Sequence, residues 1–186
     1  MKTTPLTRLE KIALRLISDS ERRERVRFLL MHKELGALEL LQPKGTMRGY
    51  SNCHGTTTFV VDYQVPIPIV NKDRLGLLAV IPATDRPGYV DREIMKEFLR
   101  YRCSEVNLNN SPDIFAIWYY SPRQKRWLDN TGVYLGKPDG KLSDLVFHQP
   151  TTEEPFELKR LSVIENRLIR LHPKGTIETA FYRFRG

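Results

Sequence analysis

From residue 104 onward, short runs of β-branched and aromatic residues alternate with clusters of turn-forming residues, which points to a chain that ends in an antiparallel sheet. SEVNL (104–108), DIFAIWYY (113–120), TGVYLG (131–136), DLVFH (144–148), FELKRLS (156–162) and TIETAFYRF (176–184) read as strands. SPRQKR, GKPDGK and QPTTEEP stand between them with the residues that turns require. The first forty residues carry a different period. Thr7 and Glu10 have capping-box spacing, and Leu9, Ile12, Ala13, Leu16 and Ile17 recur as on one face of a helix. SDSE (18–21) interrupts that pattern and offers a cap for a second helix, on which Val26, Leu29 and Leu30 share a face and Glu21 and Arg25 pair at i, i+4. A third helix is expected over 91–101, with Asp91 as its N-cap and Ile94, Met95, Phe98 and Leu99 as its apolar side. Residues 43–50 and 66–89 read as loop. Helices first and an antiparallel sheet last define an α+β chain.

Its 186 residues suffice for one packed domain with a helical appendage, drawn here as an extension over 1–43 and a domain over 44–186. The composition, 40% hydrophobic and 28% charged, is that of a globular chain with no window apolar enough for a membrane span. Charged residues interrupt the N-terminal sixteen, so no signal peptide is read there, and a cytoplasmic location is expected. The net charge of +8 favours anionic partners in principle, yet much of it sits in ERRERVR (21–27), which reads as a solvated helix face. No zinc-finger spacing or basic-aromatic stripe supports nucleic-acid binding, which stands as the weakest function class.

Two cysteines are too few for a disulfide scaffold, which directs attention to what each is doing alone. Cys103 falls between a helix and a strand and reads as a core thiol. Cys53 stands in SNCHGTTTF, where its environment is harder to assign. The β-branched run after it favours a strand, while its place after a glycine-containing turn suits the first residue of a buried helix; both options remain open. A cysteine at a helix N-terminus gains from the dipole and from free backbone N–H groups, which nucleophilic chemistry needs. His54 is no obvious base, because adjacent helical residues point about 100° apart. His32 and His172 have no metal-ligand partner at helical spacing, so no metal or other cofactor is expected.

The order of the segments resembles the NlpC-type branch of the papain-like cysteine peptidases and amidases. The resemblance runs over about 47–150 and is carried by Cys53-His54-Gly55, Ser111-Pro112-Asp113-Ile114, Asn130-Thr131-Gly132-Val133-Tyr134-Leu135-Gly136 and Val146-Phe147-His148. It implies a nucleophile helix packed on an antiparallel sheet, Cys53 as nucleophile, His148 as the orienting member of a triad, and a peptide or amide substrate cleaved through a thioester acyl-enzyme. It also implies a catalytic histidine where this chain has Asn130, and an asparagine cannot take up a proton at neutral pH. Three readings follow: an inactive relative that keeps a binding pocket, a histidine replaced at position 130, or exchanged roles with His148 as base and Asn130 as its orienting partner. The expected function is therefore a cysteine hydrolase, intact or disabled at position 130, with a non-catalytic binding module on the same scaffold as the alternative.

Overall fold

The computed structural model describes residues 4–37, 51–61, 90–121, 124–136, 144–151 and 154–185. The loops expected over 43–50 and 66–89 lie outside the described residues. The α+β expectation holds: among the described residues five α-helices accompany a six-stranded antiparallel sheet. The helices are α1 (Arg8–Leu16), α2 (Ser20–Met31), α3 (Cys53–Val61), α4 (Arg92–Arg102) and α5 (Leu161–Leu171). The strands are β1 (Cys103–Val106), β2 (Ile114–Ser121), β3 (Gln124–Gly136), β4 (Leu145–His148), β5 (Glu157–Arg160) and β6 (Thr176–Phe184), in the spatial order β1-β6-β2-β3-β4-β5. Among the described residues no helix is long and apolar enough to cross a membrane.

Local signals explain most helix starts. Thr7 Oγ1 accepts the Glu10 N–H while Glu10 Oε2 accepts the Thr7 N–H, which closes both halves of the capping box on α1. Asp19 caps α2 through the Arg22 N–H, and Asp91 caps α4 through the Glu93 N–H. The buried stripe of α4 is Ile94, Met95, Phe98 and Leu99, as its spacing requires. On α1 the stripe is rotated from the one expected: Glu10, Ala13, Leu14 and Ile17 turn inward and Leu9 stays exposed. Glu10 is buried against the Lys33 ammonium, 2.6 Å away, and this pair lets a carboxylate occupy an inward position.

The basic cluster on α2 is less solvated than its sequence suggests. Arg22 pairs with Asp113 at the start of β2, and the other Asp113 oxygen accepts the Phe184 N–H of β6. Arg25 donates to the carbonyls of Phe59 and Val60, which are orphaned acceptors in the last turn of α3. Two of these arginines therefore tie α2 to the sheet and to α3.

The sheet separates two apolar layers. On one face Ala13, Val26, Leu29, Phe59 and Val60 from the first three helices join the α4 stripe against Ile114, Val133 and Phe147. The N-terminal helices thus share a single core with the sheet. On the other face Leu161, Ile164 and Leu168 of α5 cover Phe115, Ile117 and Val146. Burying each of these three side chains contributes about 2 kcal/mol at most. Alternation along β2 and β4 sends neighbouring residues to opposite layers, and that alternation decides where the candidate site residues point.

Candidate functional site

Cys53 opens α3, so the helical option for GTTTFVV is the one realised. Eight of its nine residues are buried, and a run of threonines in a buried helix needs partners for its hydroxyls. The helix supplies them: Thr57 Oγ1 donates to the Cys53 carbonyl at 2.8 Å, and Thr58 Oγ1 lies 3.1 Å from both the His54 and the Gly55 carbonyl. These back-bonds offset the poor helix propensity of a β-branched run. Asn52 caps the helix. Its Oδ1 accepts from the Gly55 N–H at 2.8 Å and the Val90 N–H at 3.1 Å, while its Nδ2 donates to the Val90 carbonyl at 2.8 Å. A side chain so fully engaged is a clamp between two segments, and it occupies one of the N–H groups that an oxyanion would use.

Around Cys53 the structure assembles a small polar cluster on this face of the sheet. His54 Nδ1 lies 3.5 Å from Cys53 Sγ and 2.9 Å from Thr131 Oγ1 on β3, and Thr57 Oγ1 lies 3.2 Å from the same threonine oxygen. Gln149, directly after β4, accepts from Ser51 Oγ at 2.7 Å and from Thr56 Oγ1 at 3.2 Å. His54, the neighbour set aside on helical geometry, is thus the imidazole that reaches the thiol.

Both reactive groups are held in their neutral forms. Desolvation dominates at Cys53. The residue keeps some surface exposure, but protein atoms surround its sulfur, and burial together with the charge of Asp129 pushes the thiol up to about 11. Backbone hydrogen bonds from Thr131 and His54 favour the thiolate but are outweighed. His54 moves the other way: burial, aided by the positive charge of Arg92, lowers it to about 3. Both shifts oppose passing a proton from the thiol to this imidazole.

Asn130 and His148 do not join this cluster. Thr131 points at α3, so its neighbours Asn130 and Gly132 project from the opposite face of β3. A side chain at Gly132 would meet His148 Cβ at 2.8 Å and Phe115 Cε1 at 2.3 Å, which places the His148 side chain on that opposite face. The Phe115 ring, 6.2 Å from the imidazole and edge-on to it, belongs to the layer beneath α5. Asn130 is paired with Ile117, a residue of the same layer. The sheet therefore lies between Cys53 and the two residues that the motif alignment joins to it. Facing α3 instead are Thr131 and Gln149, each one position further along the chain.

Tyr119 packs on Trp127 at 4.3 Å and on His172 at 4.7 Å, and Gly175 leaves room for its ring. Cys103 is buried at the start of β1, as expected for a core thiol. Among the described residues no group of three acidic, histidine or cysteine side chains is arranged to hold a metal ion.

No family model matches the chain. Neither the curated proteins nor the solved structures contain a match to it. Two residues that shape the site, Thr131 and Gln149, gave no sequence signal of their own; α5 did, through Leu161, Ile164 and Leu168 at i, i+3 and i+7.

Proposed function

We propose that this chain is a non-catalytic binding module whose order of elements is papain-like. The observation that carries this reading is the burial of the Cys53 sulfur and of His54, which raises the thiol and lowers the imidazole where a cysteine hydrolase needs the two drawn together. The separation of Asn130 and His148 from Cys53 by the sheet supports it, because no other described imidazole stands beside the sulfur. The papain-like element rests on the helix that opens at Cys53 and on the antiparallel strands that follow it. The rival reading, a cysteine hydrolase acting through a thioester, draws on the 3.5 Å between Cys53 Sγ and His54 Nδ1.

Alkylation by iodoacetamide separates the two. At pH 7.4 a thiol titrating near 11 is about 0.03% ionised, against about 7% for a free cysteine. The greater nucleophilicity of the more basic thiolate recovers roughly tenfold, so Cys53 should react about 20-fold more slowly than glutathione. Mapping the label by mass spectrometry keeps Cys103 apart from Cys53. A Cys53 rate equal to or above that of glutathione, or a pH–rate midpoint below 8, would reinstate the hydrolase.

A further inference from the structure

The face of the sheet away from Cys53 holds a second feature. A cleft of about 780 Å³ opens between α5, the β3–β4 strands and the segment after β4. Its walls include Asp129, Asn130, His148, Glu154, Ile164 and Leu168. His148 is 2% exposed and Asn130 6%, and neither side chain is satisfied as its burial demands. Asn130 Oδ1, Asp129 Oδ2, Glu154 Oε2 and both ring nitrogens of His148 are buried without a hydrogen-bond partner among the described residues. Glu157 Oε1 lies 3.2 Å from His148 Nε2 as an ion-pair contact, so Nδ1 is the ring nitrogen with no polar contact among the described residues. A buried polar atom left unpaired is costly, and here such atoms gather around one cavity.

Their chemistry is one-sided. Three of the four side chains present acceptor oxygens, and the fourth presents an imidazole ring. The rim cations are engaged elsewhere than on Asn130, Asp129 and His148: Lys33 stands on Glu10 at 2.6 Å, Lys159 on Glu157 at 3.2 Å, and Arg167 faces Glu154 Oε2 at 3.9 Å. Arg170 donates its Nε–H to the Asn166 carbonyl. Asp129 Oδ2 has the ring of His172 3.4 Å away. Asn130 and His148 are diagonal neighbours on adjacent strands, because Val133 pairs with Phe147 and Gly132 therefore lies opposite His148. Side chains so placed are separated by about 7 Å, room for one ligand atom between them. Above them Val163, Ile164 and Leu168 form an apolar wall.

We propose that this cleft binds an aliphatic ammonium group, with its N–H donors on Asn130 Oδ1, Asp129 Oδ2 and an imidazole nitrogen of His148 and its alkyl chain against Val163, Ile164 and Leu168. The proposal rests on the binding-module reading and supplies that module's ligand class, but it does not involve Cys53. A free alkylamine and a lysine side chain carry the same group, and the test includes one probe of each kind.

The full-length chain is titrated with 1-aminopentane, Nα-acetyl-lysine methylamide, 1-pentanol and pentanoate while the side-chain ¹⁵N resonances of His148 and Asn130 are followed. Saturable shifts with 1-aminopentane are expected, and pentanol and pentanoate should bind about tenfold more weakly or not at all. A lysine probe that binds more tightly than 1-aminopentane identifies a protein ligand, and the reverse order identifies a small amine. Asp129→Asn keeps the shape of the side chain and should weaken ammonium binding about tenfold with no change in melting temperature. Equal binding of alcohol and amine, unchanged binding by the Asp129→Asn variant, or no saturable shift with either amine overturns the proposal. If Asp129→Asn does not fold, competition by the neutral alcohol on the wild-type chain decides the matter. Because iodoacetamide reports only on Cys53, a reactive thiol and a failed amine titration are separate results.

Discussion

Acidification from pH 7 to pH 5 should expose the cost of burying His54. In the unfolded chain this imidazole titrates near its ordinary value of 6.5; in the folded protein burial and the nearby Arg92 lower it to about 3. Between those values the unfolded state binds a proton that the folded state refuses, so the folded state is favoured above 6.5 and loses that advantage as the pH falls toward 3. From pH 7 to pH 5 the loss works out to about 2 kcal/mol. For a chain of this length that is a fall of about 4–8 °C in melting temperature. Glu10 and Glu157 are both held below the ordinary carboxylate value of 4.5, so their contributions are lost only at lower pH and leave this window to histidine. Urea denaturation at half-unit pH steps, on the wild type and on His54→Asn, measures the effect. Asparagine places a polar atom where Nδ1 meets Thr131 Oγ1, so the variant should fold, and its stability should be flatter across the window by about 2 kcal/mol. Parallel curves for the two proteins would refute the reasoning. They would mean that His54 accepts a proton in the folded state, and with it the capacity to serve as a base.

Two further substitutions examine the two faces of the sheet. Gly132→Ala drives a methyl group into Phe115 Cε1 at 2.3 Å and the Phe147 carbonyl at 2.7 Å, and should destabilise by about 3 kcal/mol in chemical denaturation; wild-type stability would contradict the placement of His148 over this glycine. Gln149→Leu removes the acceptor shared by Ser51 and Thr56 and should cost about 3 kcal/mol, and a neutral result would mean that those hydroxyls have other partners.

The limits of sequence reading are visible in particular elements. On α4 the cap at Asp91 and the stripe from Ile94 to Leu99 agree, and both recur in the structure. In α3 the two propensities conflict, and the sequence alone left the conflict open because the hydroxyl back-bonds of Thr57 and Thr58 exist only once a helix has formed. Helix α5 had a legible apolar spacing but followed a strand-like run directly, and Arg160 at its N-cap makes no side-chain bond that would mark a start. The segments that the motif comparison joins do meet in the structure, but Asn130 and His148 lie across the sheet from Cys53. A strand has a period of two, so matching a motif one residue out of phase exchanges Thr131 for Asn130 and Gln149 for His148. An irregularity in the pairing of β2 with β3, between Ile117 and Trp118, lies just beside this point, and nothing in the residue types announces it.

That phase also decides which substitutions could place an imidazole beside Cys53. Asn130→His, the single replacement a motif comparison recommends, would deliver an imidazole to the cleft under α5, where it meets no thiol. The shortest path to a papain-like triad runs through positions 131 and 149. At the first a histidine displaces the Thr131 contact with His54; at the second an asparagine gives up hydrogen bonds that anchor Ser51 and Thr56. Each step alone removes support from α3 before the other is in place, so such a triad could be built here only at a cost in stability.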